Sequence, residues 1–170
     1  PDTKKLLSHK QSWGVIIASA AIDPIWWLFV VWIPIYLNEV YGMDVKTIGI
    51  YGWVPYVGAM LGAWFGGLFA QNRLQAGWTV DKTRKIIITI GCLIMLPSLL
   101  AMANPGGPTT AVLIMALILF GFQTAIGNVQ TLPSDFFGGK TIGTLSGIAG
   151  MAAKLTAAAL IYLVPWLTSG

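Results

Sequence analysis

The chain has 170 residues, of which 56% are hydrophobic and 9% are charged, and its formal net charge is +4. Soluble domains carry roughly 25% charged residues, so this chain cannot cover a water-facing surface and is predicted to lie in a lipid membrane. Its single cysteine, Cys92, excludes a disulfide framework or thiolate cluster, its single histidine, His9, excludes a histidine-based metal site, and no cofactor is expected.

The amino-terminal segment, residues 1–13, is polar and basic and is predicted to lie on the cytoplasmic side of the membrane. The apolar stretch after it is much longer than the apolar region of a signal peptide. Because the chain begins with Pro1 rather than Met, we expect it to be a piece of a longer protein.

Five apolar segments come after this basic stretch, each long enough for a helix across a hydrocarbon core of about 30 Å. They are residues 14–37, 48–70, 86–103, 111–132 and 142–167. The unbroken alternation typical of strands in a membrane barrel is absent. The predicted fold class is therefore an all-α membrane protein with five transmembrane helices.

Lysine and arginine are distributed unequally between the two sides of this bundle. The amino-terminal segment and the loops at 71–85 and 133–140 carry eight of them, whereas the opposite side carries only Lys46. Since basic residues are retained in cytoplasmic loops, we predict a multi-pass membrane protein with a cytoplasmic amino end.

Two ionisable residues lie deep in the predicted spans, Asp23 in the first and Lys154 in the fifth. Each costs about 2.5–3.5 kcal/mol at a helix centre, so neither is expected to face lipid. Their depths, roughly 14 Å and 18 Å from the same side, permit an ion pair. One interpretation is a static buried pair, or a Lys154 side chain that reaches a water-filled cavity. The other interpretation is a protonation site or a substrate contact.

Several further features of the spans suggest packing or movement. Pro24 and Pro34 each remove a hydrogen bond from the first span and allow it to bend. Trp27 lies too deep to be a simple interfacial anchor, so it either packs in the core or lines a cavity. Glycines at four- or three-residue spacing favour close helix packing; they are Gly58, Gly62 and Gly66 in the second span and Gly143, Gly147 and Gly150 in the fifth.

The fourth span gathers uncharged polar residues within one arc of roughly 160°. They are Gln123, Thr124, Asn128, Gln130 and Thr131. One interpretation is hydrogen bonding between helices, and the other is a polar wall for a hydroxylated or carboxylated solute. Five polar groups exceed what packing needs, which favours the wall. No catalytic constellation or nucleic-acid interface is recognised, so neither an enzyme nor nucleic-acid binding is predicted.

Three stretches carry a resemblance to a known family: Asp23–Trp27 with its continuation to Leu37, Gly66–Lys85, and Asn128–Gly143. They resemble the seventh helix, the loop between helices eight and nine, and the junction of helices ten and eleven in anion:cation symporters of the major facilitator superfamily, particularly hexuronate transporters. The resemblance implies helices seven to eleven of twelve. Residues 1–13 would then link two half bundles, and residues 168–170 would begin the external loop to a last helix.

The resemblance also implies a function: proton-coupled symport of an organic anion, a sugar acid such as a hexuronate, by alternating access. The expected partners are this anion, a co-transported proton, membrane lipid and an amino-terminal half of the same polypeptide, in a bacterial inner membrane. Expected substrate contacts are Asn128, Gln123, Thr131 and Trp27. Asp23 and Lys154 form the coupling or buried ion pair, and Gln71, Arg73, Arg84 and Lys85 belong to a cytoplasmic gate loop.

The sequence departs from the family pattern in two places. The family usually has an acid where Gln71 stands and basic residues near Gln75 and Ala76, and Lys154 matches no family position. An alternative function is a small helical membrane protein with a structural or interaction role through its glycine stripes.

Overall fold

The computed structural model describes residues 3–168, and every regular element within this range is a helix. The eight helices are α1 (Thr3–Leu7), α2 (Lys10–Tyr41), α3 (Val45–Tyr51), α4 (Val54–Gln75), α5 (Val80–Ala101), α6 (Pro108–Val129), α7 (Leu132–Phe136) and α8 (Lys140–Thr168). Five helical segments are long and apolar enough to cross a membrane: Lys10–Tyr41, Val45–Gln75, Val80–Ala101, Pro108–Phe136 and Thr141–Leu167. The predicted fold class is confirmed.

The second apolar segment differs from the prediction, because it forms two helices rather than one. Gly52 ends α3 with its N–H bonded to the Ile48 carbonyl, and Pro55 lies in the first turn of α4. Proline has no N–H to donate to a preceding turn, so it begins a helix more readily than it continues one. The segment is apolar throughout, so its hydropathy did not indicate the break between α3 and α4.

The loop before this break is fixed by Asp44. Its carboxylate accepts a hydrogen bond of 3.0 Å from the Thr47 N–H at the start of α3. Hydrogen bonds from the Thr47 side chain and then its backbone lower the pKa of Asp44 below its ordinary value. Asp44 thus stays ionised where the positive end of the α3 dipole favours a negative charge.

The described residues form two compact units, and the first contains residues 3–28 and 129–168. Its apolar core joins α1, the start of α2 and α8 through five buried side chains: Leu6, Val15, Ile16, Leu145 and Ala149. Hydrogen bonds from Ser12 Oγ to the Leu6 carbonyl (2.7 Å) and from Trp13 Nε1 to the Leu7 carbonyl (2.9 Å) hold α1 against α2. The segment predicted as a linker is therefore folded in its described part; residues 1, 2, 169 and 170 lie outside the described residues.

The second unit, Phe29–Asn128, is built on glycines that let helix backbones touch. A Cβ at Gly58 or Gly62 on α4 would overlap the backbone of Ala116 or Phe120 on α6. At Gly66 a Cβ would lie 3.0 Å from the Thr124 carbonyl oxygen. The predicted close packing of this glycine stripe is confirmed.

The glycine stripe of α8 behaves differently. A Cβ added at Gly143, Gly147 or Gly150 would meet nothing within 4 Å in the described part of the chain, so no described helix packs closely on this stripe. The packed face of α8 is instead the one that carries Leu145, Ala149, Ala153 and Ala157, all of which are buried. Two small-residue faces are available on this helix, and the alanine face provides the contact.

Gly62→Ala should destabilise the second unit by about 1–3 kcal/mol, because the added methyl group forces α4 away from the Phe120 backbone. Gly67→Ala is the matched control, since nothing lies within 4 Å of a Cβ there. Thermal unfolding of the purified protein in detergent measures both. Equal stability of the two variants would contradict the backbone contact.

Candidate functional site

The first polar cluster of the spans joins α2 to α8 inside the first unit. Lys154 Nζ on α8 lies 2.8 Å from Asp23 Oδ2 on α2. Trp27 follows Asp23 by one helical turn, and its ring centroid lies 4.6 Å from the same Nζ atom. Three residues that the sequence marked separately therefore form one carboxylate–ammonium–indole cluster.

The two charged members of this cluster differ in exposure. The Asp23 side chain is 17% exposed, whereas that of Lys154 is 56% exposed. An ammonium has three N–H donors, and its accessible surface leaves donors for a second anionic group. The pair is therefore not fully buried within the described residues.

The second polar cluster lies inside the second unit and centres on Asn128. Its carbonyl oxygen accepts a hydrogen bond of 2.7 Å from Arg84, and its amide donates to the Thr124 carbonyl at 3.0 Å. Asn128 is only 4% exposed, and its amide nitrogen lies opposite Gly66. These contacts resemble packing between helices more than a wall open to solute.

Thr124 shows the packing role most directly. It is fully buried, and its hydroxyl lies within hydrogen-bond distance of the Gly62 carbonyl on α4 (3.0 Å) and of the Phe120 carbonyl on α6 (2.9 Å). The close approach that Gly62 permits brings an α4 carbonyl within reach of an α6 hydroxyl. Thr124 therefore helps to hold α4 and α6 together.

The predicted polar arc does not extend past Asn128, because α6 ends at Val129. Gln130 is exposed beyond that end, and Thr131 precedes the first turn of α7. Gln123, which is half-buried, stays on α6. Gln130 and Thr131 lie beyond the end of α6, so the helical periodicity that placed all five polar residues on one face does not apply to these two.

The predicted gate loop at 71–85 is mostly helical. Gln71 and Arg73 lie near the end of α4, Arg84 and Lys85 lie near the start of α5, and only Ala76–Thr79 connect the helices. Lys85 Nζ pairs with Asp81 Oδ2 at 2.8 Å, and both are exposed. The four-residue spacing on a helix could have indicated this pair, whereas no local pattern links Arg84 to Asn128.

A helical membrane bundle whose spans carry an ion pair and buried amides is typical of membrane transport proteins. The chain belongs to the Major Facilitator Superfamily, whose sequence profile matches residues 2–160. It is therefore a multi-pass integral membrane protein, and the predicted family resemblance is confirmed.

Several curated relatives of the chain are named as transporters of sugar acids. The chain is 31% identical to the "Hexuronate transporter" of Escherichia coli K12 over 89% of this chain and 35% of the relative. It is 34% identical to the "Probable galactarate/D-glucarate transporter GarP" of the same organism over 98% of this chain and 38% of the relative. A "Galacturonate transporter" of Dickeya chrysanthemi is 30% identical over 54% of this chain and 27% of the relative.

The chain thus spans about a third of the length of these two Escherichia coli relatives. These relatives are named as transporters, in agreement with the prediction that the chain is not an enzyme. No solved structure gave a significant match.

Asn128→Ala should lower the stability of the second unit by about 1–3 kcal/mol, because it leaves Arg84 without the amide acceptor in a poorly hydrated place. Thermal unfolding of the purified protein, measured beside solute uptake, separates the two interpretations of this residue. Unchanged stability together with lost uptake would assign Asn128 to the substrate instead. Gln130→Ala, at an exposed position after α6, is the control.

Proposed function

We propose that the chain forms part of a secondary transporter that carries sugar acids such as hexuronates by proton-coupled symport and alternating access. The observation that carries the proposal is the Lys154 ammonium, held by Asp23 and by the Trp27 ring while more than half of its side chain remains accessible. The names of the three relatives described above, each of which names a sugar acid, support the substrate class.

A sugar acid has two features that this cluster can recognise. Its carboxylate can accept a charge-assisted hydrogen bond from Lys154, and such bonds are roughly twice as strong as neutral ones. Its ring has an apolar face of C–H groups, which the flat indole of Trp27 can cover. Because the Lys154 ammonium lies 4.6 Å from the Trp27 centroid, one solute can contact both groups.

Asp23 supplies a route to proton coupling. While it is ionised it competes with the substrate carboxylate for one ammonium group, since both anions seek the same donors. Proton uptake by Asp23 removes that competition and frees Lys154 for the substrate. By linkage, proton and anion then each favour the binding of the other, which is the thermodynamic requirement for symport.

The other residues predicted to contact the substrate have different roles in this proposal. Gln123 and Thr131 are half-buried and can supply hydrogen bonds to the hydroxyl groups of a sugar. Asn128 is proposed to hold the Arg84 side chain rather than to touch the solute directly, since both of its polar atoms are engaged within the protein. The gate role of Gln71, Arg73, Arg84 and Lys85 remains part of the proposal.

A cytoplasmic amino end in a bacterial inner membrane completes the proposal, supported by the uneven distribution of basic residues between the two sides. The alternative of a small structural protein is not favoured. The named relatives are transporters, and α6 already covers the α4 glycine stripe within the chain, which leaves only the α8 stripe for contact with other helices.

Lys154→Gln should lower the apparent affinity for glucuronate by about tenfold or more, because it removes a charged hydrogen-bond donor worth about 1.5–3 kcal/mol. Uptake of labelled glucuronate by membranes that contain the complete carrier measures the effect. Lys46→Gln, which removes an exposed charge at the start of α3, should leave uptake unchanged. Equal affinity in the Lys154 variant and the wild type would contradict the proposed contact.

Asp23→Asn should retain glucuronate exchange but lose its stimulation by an inward proton gradient, because an amide cannot take up the coupling proton. Vesicles with an imposed pH gradient measure the two activities separately. A merely structural pair predicts something else: each single variant would be poorly folded, and the double variant D23N/K154Q would recover gradient-driven uptake. That recovery would refute coupling through Asp23.

A further inference from the structure

A second concentration of charge lies where α4 and α5 are joined. The Arg73 guanidinium carbon, near the end of α4, lies 5.1 Å from the ring centroid of Trp78. Lys82 Nζ, in the first turn of α5, lies 4.5 Å from the same ring. Two cations from two helices are therefore held on one indole, an attraction between cation and aromatic ring that stabilises each of them.

The charges of these two cations are not balanced by a neighbouring carboxylate. Asp81, the acidic residue of this turn, is paired with Lys85 at 2.8 Å. Within residues 3–168, neither Arg73 nor Lys82 takes part in an ion pair. Two like charges on one ring repel each other, so an anion that contacts both would lower the energy of the site.

The position of this cluster in the membrane is set by the lengths of the helices. The segments Val45–Gln75 and Val80–Ala101 are each long and apolar enough to span the bilayer, and only the four residues Ala76–Thr79 join them. Because both segments are expected to cross the bilayer and their connection is this short, we expect Trp78 and its two cations to lie near the level of the lipid headgroups. Tryptophan is enriched at that level because its ring is apolar and its N–H is polar.

A row of apolar side chains runs along α4 away from the cations. This row, called the apolar lane below, consists of Phe69, Leu68, Phe65 and Leu61. The Arg73 guanidinium also lies 5.0 Å from the Phe69 ring, and the Phe69 and Phe65 ring centroids are 5.9 Å apart. Leu68 and Leu61 are exposed at 58% and 46%, and Phe65 is exposed at 37%. The spacing of residues 61, 65 and 68 places them on one face of the helix.

We propose that this surface binds an anionic phospholipid. The phosphodiester of the headgroup contacts Arg73 and Lys82 beside Trp78, and an acyl chain lies along Phe69, Phe65 and Leu61. The apolar lane selects a lipid over a free phosphate ion, which would use only the cations. The attraction to anionic headgroups follows the rule for basic residues at a membrane surface. The site shares Arg73 with the proposed gate loop, but lipid binding is measured without transport.

Native mass spectrometry of the protein purified in mild detergent tests the proposal. The probes are phosphatidylglycerol and phosphatidylcholine with identical acyl chains, and the wild type should retain phosphatidylglycerol preferentially. The double variant R73Q/K82Q should bind it about tenfold more weakly or worse. The matched control K10Q/K46Q removes the same formal charge at two exposed positions away from Trp78 and should bind within about twofold of the wild type.

Two further measurements distinguish a lipid from other anions and guard against misfolding. Phosphatidylglycerol should raise the apparent melting temperature of the wild type but not that of R73Q/K82Q, because only a ligand of the folded state stabilises it. Glycerophosphoglycerol, the headgroup without acyl chains, and inorganic phosphate should fail to displace the lipid. Equal retention of phosphatidylcholine, equal loss in the control, or displacement by inorganic phosphate would each overturn the proposal.

Discussion

A carboxylate inside an apolar helix must be neutralised, and the 2.8 Å pair between Asp23 and Lys154 meets that requirement. The pair fixes α2 to α8 within the first unit, whose apolar core also joins these helices near α1. The pair is also compatible with the proposed contact between Lys154 and a substrate carboxylate, because the Lys154 side chain remains more than half exposed beside Trp27. An interaction that stabilises the helices can therefore also be broken by an incoming carboxylate or a proton.

The second unit is held together in a different way. Glycines on α4 have no side chain, and α6 can therefore approach its backbone closely. Gly62 and Gly58 remove the bulk that would separate α4 from α6, and Thr124 uses the resulting proximity to reach the Gly62 carbonyl. In a membrane there is little hydrophobic force between helices, so such contacts and hydrogen bonds must hold them together. Close packing here explains why Thr124 and Asn128 on α6 make polar contacts within the protein.

The sequence predicted the features that depend on length and composition. The five spans follow from apolar length, and the similar depth of Asp23 and Lys154 indicated that the two could meet. The break at Gly52 was missed because the apolar stretch continues through it, although Gly52 and Pro55 are signals of a helix boundary that the sequence contains. The open glycine face of α8 and the bond between Arg84 and Asn128 were missed for a common reason: a single sequence does not show which face of a helix meets which neighbour.

Chemical protection of Lys154 tests the central claim most directly. A membrane-permeable, amine-reactive reagent is applied to membranes that contain the complete carrier, and labelling of each lysine is quantified by peptide mass spectrometry. If Lys154 binds the substrate carboxylate, glucuronate should reduce its labelling while glucose does not, and labelling of exposed Lys46 should stay constant. Unchanged labelling of Lys154 at glucuronate concentrations that saturate uptake would contradict the account.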